Sequence, residues 1–199
     1  MLTVEFDPVA HAYRVDGQPV ASVTQALARA GYITAGDFYT EAGRRLGIQL
    51  HEVTERIDRR LRISDAMIVG IEGEVAAYRR FLNVNKPRYA AIEAMLAKRG
   101  IAGRADRIVR QWQGRPLTGV LELKRGSCAE WHGYQTAGYA FLCEQPITHR
   151  WCLHLRPDGT YRLMPHSSPM DRYKFLDAIY QERNRVRIFS RTGVFATNA

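Results

Sequence analysis

Two long apolar-rich runs near the middle of the chain restrict the fold more than any other segment. IAGRADRIVRQW (101–112) is followed by QGRP and then by LTGVLELKRG (117–126), which reads as two β-strands joined by a turn. Around this hairpin the pattern alternates between helix and strand. LTVEFD and HAYRVDG, with Asp16-Gly17 between strand and continuation, predict a hairpin at the start. Ser22 or Thr24 can cap a short helix over QALARAG that ends at Gly31. Thr40 can cap a longer helix reaching about Arg62, along which Leu46, Leu50, Val53, Ile57 and Leu61 recur at helical period. A second helix over about 65–82 buries Ile68, Ile71, Val75, Tyr78 and Leu82 and leaves Glu72, Glu74, Arg79 and Arg80 to solvent. Residues 89–98 fit helix or strand equally well. A helix over 129–143 follows the hairpin, then two short strands, THRWCLHLR and TYRLMP, across Pro157-Asp158-Gly159, and a terminal helix over about 169–187. This order predicts an α/β fold, a central mixed β-sheet flanked by helices, with an N-terminal helical lobe. At 199 residues, without repeat or linker, we expect a single domain, with a hairpin and helical lobe over 1–88 and a core over 89–190.

The charge narrows the partners. Lys and Arg together number 29 against 20 Asp and Glu, a formal +9, and only 4 of the 29 are Lys. Guanidinium groups bind phosphate in bidentate fashion and stack on bases, so an Arg excess suits a nucleic acid, although a GC-rich coding sequence enriches Arg as well. The basic residues cluster at Arg44-Arg45, ERIDRRLR (55–62), Arg79-Arg80 and RNRVR (183–187). No apolar run approaches the ~18 residues of a membrane span. The first residues lack the basic and apolar regions of a secretory signal. Cys128, Cys143 and Cys152 show no CxxC spacing and fit a reducing compartment. The expected location is cytoplasmic.

The chemistry concentrates in VLELK. Alternation along a strand puts Glu122 and Lys124 on one face and Leu121 and Leu123 on the other. Alone, the pair is an ordinary ion pair. The hairpin, however, brings Asp106 of the preceding strand close to Glu122, and adjacent carboxylates repel unless they are protonated or bridged by a cation. Such oxygens suit Mg²⁺ or Mn²⁺.

With that pair in view, Asp106 followed by Glu122-Leu123-Lys124 resembles the PD-(D/E)XK nuclease signature. Gly47-Ile48-Gln49-Leu50-His51 is similar to the Gly-x-x-x-His helix motif of its RecB-like exonuclease branch, which has phage, CRISPR-associated and mitochondrial members. Gly103-Arg104-Ala105-Asp106 is similar to the branch's Gly-x-x-Asp strand, and Gln135-Thr136-Ala137-Gly138-Tyr139 to its Gln-x-x-x-Tyr helix. The likeness extends over about 40–190.

The resemblance implies a restriction-endonuclease-like core and a metal-dependent DNA exonuclease. It implies Mg²⁺ or Mn²⁺ on His51, Asp106, Glu122 and the backbone carbonyl of Leu123. Asp106, Glu122 and Lys124 would be catalytic, and Gln135 and Tyr139 would bind substrate; the basic pair Arg44 and Arg45, on the long helix that carries His51, would grip the substrate through its phosphates. Alternatives are an endonuclease of the same superfamily or a non-catalytic nucleic-acid-binding protein. Glu93 lies where some members carry a carboxylate, but its neighbourhood reads as surface charge. Trp131 and Tyr134 suit either base stacking or packing. Some relatives hold an iron–sulfur cluster through four cysteines; three cysteines predict none here. No GxxxxGK[ST] motif occurs. The expected partners are therefore DNA, as single strands or duplex ends, and a separate helicase, recombination or single-strand-binding protein, in a bacterial or phage-infected cell.

Overall fold

A computed structural model describes residues 3–8, 10, 12–34 and 40–192, the last seven of these through their backbone alone. Leu2 and His11 of the opening hairpin, and the side chains of Val186 and Arg187 in the RNRVR cluster, lie outside the described residues. The chain forms β1 (Val4–Asp7), β2 (Ala12–Val15), β3 (Gln18–Ser22), α1 (Val23–Arg29), α2 (Glu41–Asp58), α3 (Glu72–Asn85), β4 (Arg88–Lys98), β5 (Ile101–Trp112), β6 (Arg115–Arg125), α4 (Trp131–Leu142), β7 (His149–Leu155), β8 (Tyr161–Pro165) and α5 (Pro169–Thr192). The α/β architecture expected from the pattern is the one that forms. No described helix is long and apolar enough to cross a membrane.

Caps act where the sequence placed them. Ser22 and Gln25 form a reciprocal capping box on α1, and the Thr40 hydroxyl accepts from the Gly43 N–H on α2. Both ends of the α2–α3 connection differ from expectation. α2 stops at Asp58, because Arg60 turns the backbone left-handed at φ +57°, and Leu61 leaves the apolar stripe for solvent. α3 begins at Glu72; Asp65–Met67 is a single 3₁₀ turn and Gly70, at φ +83°, separates the two. Glu74 is not a solvated charge. It is buried and accepts from Arg125 Nε at 2.7 Å.

The eight strands make one mixed sheet in the order β1-β2-β3-β5-β6-β7-β8, with β4 on the other edge of β5. The β3–β5 and β6–β7 pairs are parallel and the rest antiparallel. β3 and β6 therefore share one edge of β5. β3 pairs with Ile101 and Ala102, and β6 pairs from Arg107 (opposite Leu121) to Trp112. Between them the edge pairs with no strand among the described residues, and the sheet forks. One core, under α1, α4 and α5, gathers Leu27, Ile101, Ile108, Val120, Tyr139 and Phe175. The other, under α2 and α3, gathers Leu50, Val53, Tyr78, Phe81, Val109, Leu121 and Leu153.

Candidate active site

At the fork, backbone N–H groups that a ladder would have given to carbonyls are given to carboxylates. Asp106 N–H donates to Glu122 Oε1 at 3.1 Å, and Leu123 N–H donates to Asp106 Oδ2 at 2.7 Å. The two acids are buried and interlocked across the opening. Alternation along both neighbouring strands breaks at this level. On β5, Ala105 and Ile108, three apart, both pack under α1 and α4; on β4, Ala91 and Ala94 do the same. Glu93, opposite Asp106, has a left-handed backbone at φ +52°. A non-glycine residue in that region carries strain of order 1 kcal/mol, held by its surroundings. Such irregularities re-aim side chains, and here they direct Glu93 to the acids.

Four further groups complete the cluster. His51 Nδ1 lies 3.2 Å from Asp106 Oδ1 and 3.9 Å from Glu93 Oε1. Lys124 Nζ reaches Glu122 Oε2 at 3.3 Å and donates to Gln135 Oε1 at 2.7 Å. Gln135 Nε2 donates to the Tyr139 hydroxyl at 3.2 Å, so the one-turn spacing of these two residues produces a relay ending on Lys124. A Cβ at Gly103 would come 2.7 Å from the Tyr139 ring, which explains a glycine three residues before Asp106.

Charge in the cluster is unevenly shared. Burial penalises the Glu122 carboxylate and Asp106 adds repulsion, so despite Lys124 the group is pushed up to about 8. Burial works against Asp106 as well, but His51, Lys124 and Arg107 outweigh it and hold it near 2. Burial also opposes charge on His51, yet Asp106 and Glu93 win and raise it to about 10. The fork draws in positive charge.

The donor set fits a hard or borderline divalent cation. One ligand atom each from His51, Glu93 and Asp106 lies within 4.8 Å of the others, and imidazole with carboxylates suits Mn²⁺ or Mg²⁺. Of the residues singled out from sequence, His51, Asp106, Glu122, Lys124, Gln135 and Tyr139 come together, with Leu123 fixed by its N–H. Arg44 and Arg45 are exposed, on the two turns of α2 before His51. Glu93 corrects the surface-charge reading: Arg104 Nε and Arg107 Nη1 each hold one of its oxygens at 3.0 Å, and its side chain is only 9% exposed. Tyr134 is packed in the core and donates to Glu130, and the half-buried Trp131 lies under Lys124 Nζ, 5.6 Å from its ring centre. Sequence reasoning missed Asp58 and Arg107. The only available signal was Arg107 on an otherwise apolar stretch of strand.

No family model and no curated protein matches the chain. Among solved structures it is similar to an alkaline exonuclease (LHK-Exo) from Laribacter hongkongensis, at 12% identity and a TM-score of 0.47, covering 87% of this chain and 93% of that one. The complex of LHK-Exo with dAMP aligns at 13% identity and a TM-score of 0.38, with the same coverage of 87% and 93%.

Proposed function

We propose that this protein is a metal-dependent deoxyribonuclease that hydrolyses phosphodiester bonds from free DNA ends. The observation that carries the reading is the fork, where a carboxylate pair, a third acid and an imidazole converge beside a tethered lysine. Lys124, Arg104 and Arg107 offset part of the buried acidic charge, and what supports the metal reading beyond that is the convergence of one imidazole and two carboxylates within 4.8 Å, the donor set a divalent cation takes.

Asp106, Glu122 and His51, with Glu93, would hold Mg²⁺ or Mn²⁺, and the resemblance adds the Leu123 carbonyl. The bound cation would supply charge neutralisation at the phosphodiester and a lowered pKa for attacking water. The protein's own groups do the rest. Lys124, pinned between Glu122 and Gln135, presents an ammonium that can orient that water and offset charge on the phosphorane-like transition state. Tyr139 holds Gln135, and Gln135 holds Lys124, so the ammonium needs little reorganisation. Arg44 and Arg45, on the approach along α2, would grip backbone phosphates.

The test uses linear and covalently closed circular single-stranded DNA of one sequence, with Mg²⁺, Mn²⁺ or EDTA. Loss of the linear form with metal, persistent circles and no cleavage in EDTA are expected. Equal loss of circles would move the reading to an endonuclease, and full activity in EDTA would remove the metal from it.

A further inference from the structure

Arg107 is the largest side chain wholly shielded from solvent among the described residues. A buried guanidinium is expensive to desolvate, and replacing a buried ion pair by apolar groups of similar volume is often neutral or stabilising. Stability alone therefore does not account for it. What distinguishes Arg107 is where its donors go. Nε donates to Asp58 Oδ2 and Nη2 to Thr54 Oγ1 at 3.2 Å, both on α2. Nη1 donates to Glu93 Oε1 on β4 at 3.0 Å and to the Asp106 carbonyl on β5 at 2.7 Å.

Those three elements carry the three groups that lie within reach of one cation: His51 on α2, Glu93 on β4 and Asp106 on β5. On α2, Thr54 and Asp58 follow His51 by three and seven residues, so one helix face presents all three. Thr54 also donates back to the His51 carbonyl at 3.0 Å. Leu50 and Val53 are the fully buried apolar residues of that helix, a short hydrophobic anchor for an element that must place an imidazole. Asp58 is fixed a second time by the Tyr78 hydroxyl at 2.6 Å, which ties the arrangement to α3.

We propose that Arg107 is a positioning residue that sets His51 and Glu93 against Asp106 and thereby fixes the affinity of the fork for its cation. The proposal rests on the metal-site reading. Its guanidinium geometry matters, since a lysine has one nitrogen and cannot serve three elements in fixed directions.

The experiment measures Mn²⁺ binding by the free-ion paramagnetic resonance signal, beside thermal unfolding without metal. Three variants are compared with the full-length protein: Asp106→Asn, Arg107→Lys, and the double Arg107→Met/Asp58→Leu, which removes the Arg107–Asp58 pair together and leaves Glu93 its ion pair with Arg104. The double variant should unfold at or near the wild-type temperature, and both Arg107 variants should bind Mn²⁺ at least ~10-fold more weakly, the scale of lost outer-shell support. Nuclease rate at saturating Mn²⁺ should recover towards wild type, shifting half-saturation rather than maximal rate. Folded Arg107 variants with wild-type Mn²⁺ affinity would overturn the proposal alone, provided Asp106→Asn abolishes binding. Wild-type protein that binds no Mn²⁺, or binds it equally as Asp106→Asn, would overturn the metal reading and this proposal with it. Should the double variant fail to fold, Arg107→Lys, which retains the buried charge, decides.

Discussion

The β5–β6 hairpin has two halves built on opposite principles. Near its turn, Gln113 and Gly114 adopt left-handed backbone, at φ +48° and +82°, as a tight two-residue connection requires. From there to Arg107 and Leu121 the strands pair antiparallel, with one register shift between Val109 and Gln111, and Ile108, Val109, Val120 and Leu121 fill the cores on both faces. Beyond that point the ladder opens, and side-chain carboxylates take over the backbone amides. The first half is held by burial and pairing. The second half holds groups that repel one another and depends on its surroundings to keep them together. Within one hairpin, then, stability and chemistry are separated by position along the strand, and substitutions in the two halves should fail in different ways.

The largest expected effect lies in the paired half. Leu121→Ala removes a fully buried side chain from the core under α2 and α3 and should destabilise the protein by about 2–5 kcal/mol. Urea unfolding measures this, and protein that remains folded should still bind Mn²⁺. Loss of binding in the folded fraction would mean that the halves are not separable.

Next comes the open half. Glu122→Gln and Lys124→Ala should each lower cleavage at least ~100-fold, about 2.7 kcal/mol of transition-state stabilisation. Glu122→Gln should leave the unfolding temperature unchanged or raise it, because burial and Asp106 already oppose ionisation of Glu122 and a glutamine oxygen can still accept from the Asp106 N–H. A large drop in stability without a rate defect would mark the pair as structural.

Lys124 also separates two environments that treat imidazole in opposite ways. Towards the acids, His51 is raised to about 10. On the other side His154 is its cross-strand partner, and His132 packs 5.4 Å from His154, ring to ring. Burial, with Lys124, His154 and His166 nearby, lowers His132 to about 2. Its folded pKa lies below the unfolded value near 6.5, so its contribution is complete above pH 6.5 and is lost progressively as pH falls from there towards the folded value. At pH 5 the loss should reach about 2 kcal/mol from this one residue. Unfolding free energies at pH 7 and pH 5 test it: His132→Asn, which can keep an acceptor for the Ala129 N–H, should show a shallower decline. Identical declines would mean that His132 does not govern acid sensitivity.

The paired half of the hairpin was legible in the sequence because a strand repeats every two residues and its turn carries glycine. The motif residues were legible through spacing, since His51, Gln135 and Tyr139 sit one helical turn from their motif partners or from each other. Glu93 was not, because β4 abandons the two-residue repeat at the residue that matters, and an alternation rule points it away from the acids. The run at 89–98 fitted helix and strand alike; pairing with β5 decides it. Leu61 and the start of α3 were misread because left-handed residues at Arg60 and Gly70 interrupt what looked like continuous apolar periodicity. Arg107 depends on partners from three separate elements, and no local pattern announces that.

The smallest effect expected is at Gly47, one turn before His51 on α2. A Cβ there would meet no atom of the described residues within 4 Å, so packing among them does not require the glycine. Its backbone is helical, inside an 18-residue helix, where Gly is about 0.8–1.0 kcal/mol less favourable than Ala. Gly47→Ala should therefore stabilise the protein by up to ~1 kcal/mol, raising the unfolding temperature by about 2–4 °C for a chain of this size. The open space lies beside the imidazole that faces Asp106, on the same helix face as Arg44. If DNA occupies it, the added methyl should raise KM for an oligonucleotide while maximal rate changes little, since no group of the fork is touched. Calorimetry and steady-state kinetics on the same preparation separate the two consequences. A lower unfolding temperature would show that the glycine serves the fold, whereas a stabilised protein with unchanged KM would place the DNA path elsewhere on α2.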